Sequence, residues 1–255
     1  MAPPIKDKLI AAMMSRNCSM GVVPDGGGSW LSPITADSPK PTTLPAAAEA
    51  PWAIGSGMLK PNDMEELFVF PGNMKDCRCG TALDFRGNAN SFTMLAAVEF
   101  DDPPEQTKRW YPSFMSQGYG AGGTGLCTVN LGAHKELTGD WILDFGLYMD
   151  DSKNARLAYT VGDEIYGRHI IAGVRNVADN SFAIYFDGAA VKSNTNANVS
   201  LPLLSTIGAS YNPDWGVCIG TGFNNLNFTY EGVFRIHAAA VFNYAMSAEE
   251  IAALS

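Results

Sequence analysis

The chain has 255 residues, of which 17% are charged, and 17 Lys and Arg stand against 26 Asp and Glu for a net charge of −9. That length suits one large domain with an appendage. The acidic residues are scattered and no basic stripe occurs, which excludes nucleic acid and anionic membrane surfaces as expected partners.

In chain order, residues 5–16 (IKDKLIAAMMSR) predict a short helix ending before Asn17. The apolar run at 9–14 is too short for the core of an export signal, and no stretch of the chain has the length of a transmembrane helix. Residues 21–61 are rich in Gly, Pro, Ala, Ser and Thr, a composition that cannot bury a core of its own. Two readings of this segment stay open. It is a flexible linker, or an extended arm that orders against a neighbouring subunit through Trp30, Leu31, Trp52 and Ile54. The expected division is therefore an N-terminal arm over 1–61 and a sandwich over 62–255.

The sandwich is expected to begin with strands at 67–70, 81–85 and 91–100. The last, SFTMLAAVEF, is a long apolar run suited to burial between sheets. Further strands are predicted at 128–131, 141–149, 156–161, 170–175, 182–187, 191–193, 205–210, 217–221 and 233–243. Phe182, Ile184 and Phe186 alternate with Ala183 and Tyr185, the period of a half-buried strand. Asp187-Gly188 follows and supplies the positive φ angles of a tight hairpin turn. Phe234, Ile236 and Ala238 alternate with Arg235 and His237, predicting another half-buried strand. Ser247 and Glu250 stand at capping-box spacing and open a terminal helix over 248–254.

The stretches 168–175 (RHIIAGVR), 184–188 (IYFDG) and 228–254 together resemble the laminin-G-like, concanavalin-A-like jelly-roll family, with Arg168 where the family has Trp. The resemblance implies an all-β, two-sheet antiparallel jelly-roll sandwich with a short C-terminal helix, here carrying the extended N-terminal arm. It implies little about function, because lectins, adhesion modules, glycanases and virion proteins share the fold.

Cys18, Cys77, Cys79, Cys127 and Cys218 are odd in number, so at least one is unpaired within a single chain. Cys77 and Cys79 are too close in sequence for an easy disulfide and lack a second ligand pair at zinc spacing, so reduced thiols are expected. Catalytic residues are not expected. Glu99 and Asp101 would share a strand face, but Glu105 falls one residue late and Pro103 and Pro104 break the strand, which spoils a glycanase pair. His134 is expected in a loop and His237 outward on the last strand, and no G-x-S-x-G elbow exists for a serine nucleophile. The glycine-rich run 118–125 opens no helix and so offers no phosphate cradle.

Trp110, Tyr111, Phe114 and Tyr119 border that run and form the candidate ligand-binding surface, since exposed aromatics stack on sugars or anchor protein interfaces. The resemblance implies calcium as the recurring ion, and Asp150, Asp151, Asp163 and Glu164 are the oxygen donors it would take; no cofactor is required. The leading expectation is a non-enzymatic structural or adhesion protein, a virion component such as a phage tail, fibre or capsid decoration. Its arm would dock on other virion or surface proteins, and the chain would form a homo-oligomer. The alternative is a carbohydrate-binding module of a cell-surface or secreted protein, and a divergent glycoside hydrolase comes third.

Overall fold

The structure is a computed structural model and describes residues 5–15, 18–24, 30–31, 60–61, 68–69, 84–100, 113–118, 127–135, 139–149, 153–205, 217–219 and 234–255. It is an all-β antiparallel sandwich of two sheets. In the larger sheet stand β1 (Cys18–Pro24), β2 (Trp30–Leu31), β3 (Lys60–Pro61), β4 (Phe68–Val69), β5 (Phe92–Phe100), β10 (Gly167–Asn176), β11 (Ser181–Phe186), β12 (Ala189–Thr195) and β14 (Phe234–Phe242). Their order is β12-β11-β10-β5-β14-β1-β2, with β4 also on β14 and β3 on β4. The smaller sheet contains β6 (Ser113–Gly118), β7 (Cys127–Lys135), β8 (Trp141–Tyr148), β9 (Asn154–Thr160) and β13 (Cys218–Ile219), in the order β13-β6-β7-β8-β9. Two α-helices, α1 (Ile5–Ser15) and α2 (Ala248–Ala252), and two short 3-10 turns, Gly162–Ile165 and Ala197–Ser200, complete the regular structure of the described residues. Neither is long and apolar enough to cross a membrane.

Period-2 alternation builds the core. Trp141, Leu143, Phe145 and Leu147 of β8 point inward and meet Met94, Ala96, Val98 and Phe100 of β5 with Ile171, Phe182 and Ile184. Each such Leu, Ile or Phe contributes about 1.5–3 kcal/mol by leaving water. β5 is apolar on both faces because Leu95 and Ala97 enter a second core on the sheet's outer side. There Leu9, Ala12 and Met13 of α1, with Ile251 of α2 and Leu254, cover Ile170, Ala172, Val174, Ala238, Ala240 and Phe242.

The hairpin turn has both expected angles, φ 47° at Asp187 and 82° at Gly188. The terminal helix has its capping box: Glu250 N–H donates to Ser247 Oγ and Ser247 N–H to Glu250 Oε2. It is shorter than the expected 248–254. Of the expected arm, residues 5–15 form α1, close to the expected helix, and β1 pairs antiparallel with β14. The segment before residue 62 therefore adds a strand to the sandwich. Gly21 of β1 makes this seat possible, since a Cβ there would lie 2.6 Å from Met13 Sδ.

Three local expectations are corrected. Residues 113–118 are a strand, β6, rather than part of an aromatic loop, because pairing with β7 uses their backbone. His134 lies in β7 and not in a loop, since β7 continues to Lys135 against β8. In β14 a bulge at His237 breaks the simple alternation, so Ile236 faces the inter-sheet core while Ala238 faces the helices. Residues 84 and 85 of the expected 81–85 strand are not in a strand, and 206–210 lie outside the described residues.

Candidate functional site

A two-sheet sandwich has two outer faces. That of the larger sheet is largely sealed, since its apolar stripe lies beneath α1 and α2. That of the smaller sheet is polar, and register fixes which residues share it. Because Val129, Leu131 and Ala133 face the core, Asn130, Gly132 and His134 of β7 face outward, the first two of them buried there. By the same alternation Ile142, Asp144, Gly146 and Tyr148 of β8 do so, with Asn154, Arg156, Ala158 and Thr160 of β9. Ser113 of β6 joins them, its hydroxyl donating to Asn130 Oδ1 at 3.0 Å.

Asp144 is the centre of this face. Directly opposite it stand only small residues, Gly132 on β7 and Ala158 on β9. The space they leave is crossed diagonally from both sides. His134 Nδ1 meets Asp144 Oδ2, and Arg156 donates to Oδ1 from Nη2 at 2.8 Å and from Nε at 3.2 Å. Arg156 is 53% exposed while Asp144 is 9% exposed, so the carboxylate is held at the sheet and the guanidinium reaches solvent. Three strands thus fix an imidazole, a carboxylate and a guanidinium on one rigid surface, a set able to donate to and accept from ligand hydroxyls. Tyr148, partly exposed, lies four residues further along β8.

The other two histidines also meet carboxylates. On the larger sheet Glu99 Oε2 accepts from Arg168 Nη2 at 3.2 Å and lies 2.9 Å from His237 Nε2. Burial alone would raise the Glu99 carboxyl, but these partners outweigh it and hold it below its ordinary range. His169 Nδ1 lies 2.7 Å from Asp187 Oδ2 and its ring stacks on Phe186. Asp187 Oδ1 accepts from the Ile170 N–H at 2.8 Å, which ties the hairpin turn to β10. Glu99 is a structural ion-pair acceptor here, and Asp101 and Glu105 lie outside the described residues.

Of the expected contact aromatics, Phe114 is 0% exposed and packs edge-on against Phe100, so it belongs to the core and presents nothing to a ligand. Trp110, Tyr111 and Tyr119 lie outside the described residues, as do Asp150 and Asp151. Asp163 and Glu164 are exposed neighbours in a 3-10 turn, Gly162–Ile165. Among the described residues no group of three or more His, Cys, Asp or Glu could hold a metal ion.

His134, Asp144, Arg156 and Tyr148 were not expected as site residues. The signal for one of them was present: in WILDFGLY the alternation that buries Trp141, Leu143, Phe145 and Leu147 puts Asp144 outside.

No protein-family model and no curated protein matches this sequence. Solved structures do match. The binding domain of Paraclostridial Mosquitocidal Protein 1 has a TM-score of 0.58 at 9% identity, over 98% of this chain and 52% of that one. The Botulinum neurotoxin serotype G binding domain has a TM-score of 0.54 at 11% identity, over 93% of this chain and 50% of that one. The binding domain of Botulinum neurotoxin DC in complex with SialylT has a TM-score of 0.54 at 9% identity, over 98% and 52%. The chain spans about half the length of each. At such identities the likeness shows the fold alone, a two-sheet antiparallel jelly-roll sandwich.

Proposed function

We propose that this chain is a non-catalytic glycan-binding module whose ligand face is the outer face of the smaller sheet. The observation that carries this reading is the contrast between the two outer faces. One is apolar and covered by helices; the other holds Asp144 fixed between His134 and Arg156 with small residues beside it.

The chemistry fits hydroxyl recognition. An ionised carboxylate offers about four acceptor sites. Arg156 fills two on Oδ1 and His134 one on Oδ2, which leaves Oδ2 able to accept from a ligand hydroxyl. Asp144 is also the one carboxylate among the described residues of this face, whereas glycoside hydrolysis uses two. The structural neighbours support a binding role, being binding domains, one of them solved with SialylT. They lend no support to a virion placement.

The test is a glycan array probed with the wild-type chain and with Asp144→Asn. Binding to a defined saccharide that falls by roughly tenfold or more in the variant is expected, the size of a lost central contact. No saccharide bound by the wild-type chain would sink the reading.

A further inference from the structure

Resting on that reading, we propose that the ligand is an oligosaccharide laid along the edge strand β9, touching Asn154, Arg156, Ala158 and Thr160 in turn, and that the small side chain of Ala158 admits one of its sugars to Asp144.

Accessibility divides the outer face of the smaller sheet. Ser113 of β6 is 3% exposed, Asn130 of β7 7% and Asp144 of β8 6%. Along β9 the order reverses. Ala155 and Leu157 enter the core, and the outward residues Asn154, Arg156, Ala158 and Thr160 are all exposed. The face is thus closed at β6 and β7 and opens toward β9, the last strand of its sheet among the described residues. A ligand bound for Asp144 comes in over β9.

That approach crosses Ala158. Register puts Ala158 directly opposite Asp144, with Arg156 opposite Gly146 and Thr160 opposite Ile142. Arg156 leans diagonally to reach Asp144 Oδ1 at 2.8 Å, so the guanidinium and the carboxylate meet at the Asp144–Ala158 pair. Directly opposed residues of an antiparallel pair have Cβ atoms about 4.5–5.5 Å apart. A long or branched side chain at 158 would therefore lie over the carboxylate. A methyl group leaves it open on the side that faces solvent.

Length separates an oligosaccharide from a single sugar. Strand geometry, at about 3.3 Å per residue, makes the strip from Asn154 to Thr160 about 20 Å long. Exposed side chains stand on it at every second position. One sugar ring covers only part of such a strip. In chain order the row offers an amide, a guanidinium, a methyl and a hydroxyl, which matches successive hydroxyl rims with an apolar contact between them. No aromatic or bulky aliphatic side chain stands in the row to stop a saccharide running through.

The test is binding of the full chain to an array of linear saccharides, neutral and sialylated, each carried from the monosaccharide to the hexasaccharide. Calorimetric titration with soluble oligomers of the series bound best follows. Wild type, Ala158→Leu, Asp144→Asn and a double variant joining Asn154→Ala to Thr160→Ala are compared, with thermal melting as the check on folding. Support is wild-type affinity that climbs by about tenfold or more from monosaccharide to tetrasaccharide, climbs less in the double variant, and falls by about tenfold in Ala158→Leu at an unchanged melting temperature. If Ala158→Leu melts early, the double variant decides alone. A monosaccharide bound as tightly as its oligomers overturns the extended ligand. Binding lost in Asp144→Asn but unchanged in Ala158→Leu and in the double variant overturns the approach over β9 and leaves the glycan reading standing. Binding of nothing by the wild-type chain overturns both the strip and the reading beneath it.

Discussion

Gly173 of β10 and Phe145 of β8 face one another across the sandwich, and a methyl added to Gly173 would come within 2.5 Å of Phe145 Cδ2. The glycine is there so that the ring can cross the inter-sheet space. Gly173→Ala is expected to destabilise by about 1–3 kcal/mol through overpacking, despite the favourable effect of Ala on strand entropy. Chemical denaturation measures the loss. Phe145→Leu introduced into the Gly173→Ala background should recover part of it, and strict additivity of the two losses would refute the contact.

Arg175 is 0% exposed and uses its guanidinium as a bracket for main-chain carbonyls. It donates to Val199 O from Nε and Nη2, to Leu201 O from Nη2 and to Asn88 O from Nη1. Burial lowers its pKa to about 10, still far above neutrality, so the group is charged throughout the physiological range. Arg175→Ala leaves several buried acceptors without donors and should cost about 3 kcal/mol or more. Arg175→Lys, with a single ammonium in place of the fork, should recover less than half. A denaturation midpoint unchanged in Arg175→Ala would contradict this account.

The His169–Asp187 pair makes a pH-dependent contribution. Burial alone would lower the imidazole, but the hydrogen bond and charge of Asp187 raise it above its ordinary value of 6.5. Burial alone would raise Asp187, but His169 and the Ile170 N–H lower it below its ordinary 3.8. The histidine's share is full below the unfolded pKa and is lost as pH rises through the folded one. The aspartate's share is full above the unfolded pKa and is lost as pH falls through the folded one. The stability difference between wild type and Asp187→Asn should therefore be greatest between about pH 4 and 6.5 and shrink on both sides. Denaturant titrations from pH 3 to 9 (roughly the span of both transitions) check it; a flat difference would remove the pair from the stability account.

Gly188 meets two demands. Its φ of +82° is one that other residues rarely adopt, and a Cβ would lie 2.7 Å from the Cα of Ala252 in α2. Gly188→Ala should cost about 1–2 kcal/mol or more. Hydrogen exchange should then show the extra opening at α2 as well as at the turn, whereas exchange confined to the turn would mean that φ alone matters.

What was legible in the sequence was what is local. Phe182, Ile184 and Phe186 declare their strand by neighbours two apart, and Asp187-Gly188 and the Ser247–Glu250 box need only a few residues to form. β6 was missed because Ser113, Ser116 and Gln117 are polar yet buried, satisfied in part from elsewhere in the chain: Gln117 Oε1 accepts from Phe85 N–H and its amide donates to Asp84. The bulge at His237 leaves no mark in composition. The site was hidden for the same reason. His134, Asp144 and Arg156 meet through the register of three strands, and ten or twelve residues of separation form no motif.

Lys8 Nζ donates to the carbonyl oxygen of Ser255 at 2.6 Å, which brings the two extremities of the described chain together on the helix-covered side. The candidate ligand face is on the opposite side of the sandwich. Tethered to any larger body at residue 5 or at residue 255, the domain would stand with its back to the anchor and its polar sheet turned outward. Fusion orientation should therefore matter little: a display scaffold attached at either extremity would lie on the helix-covered side.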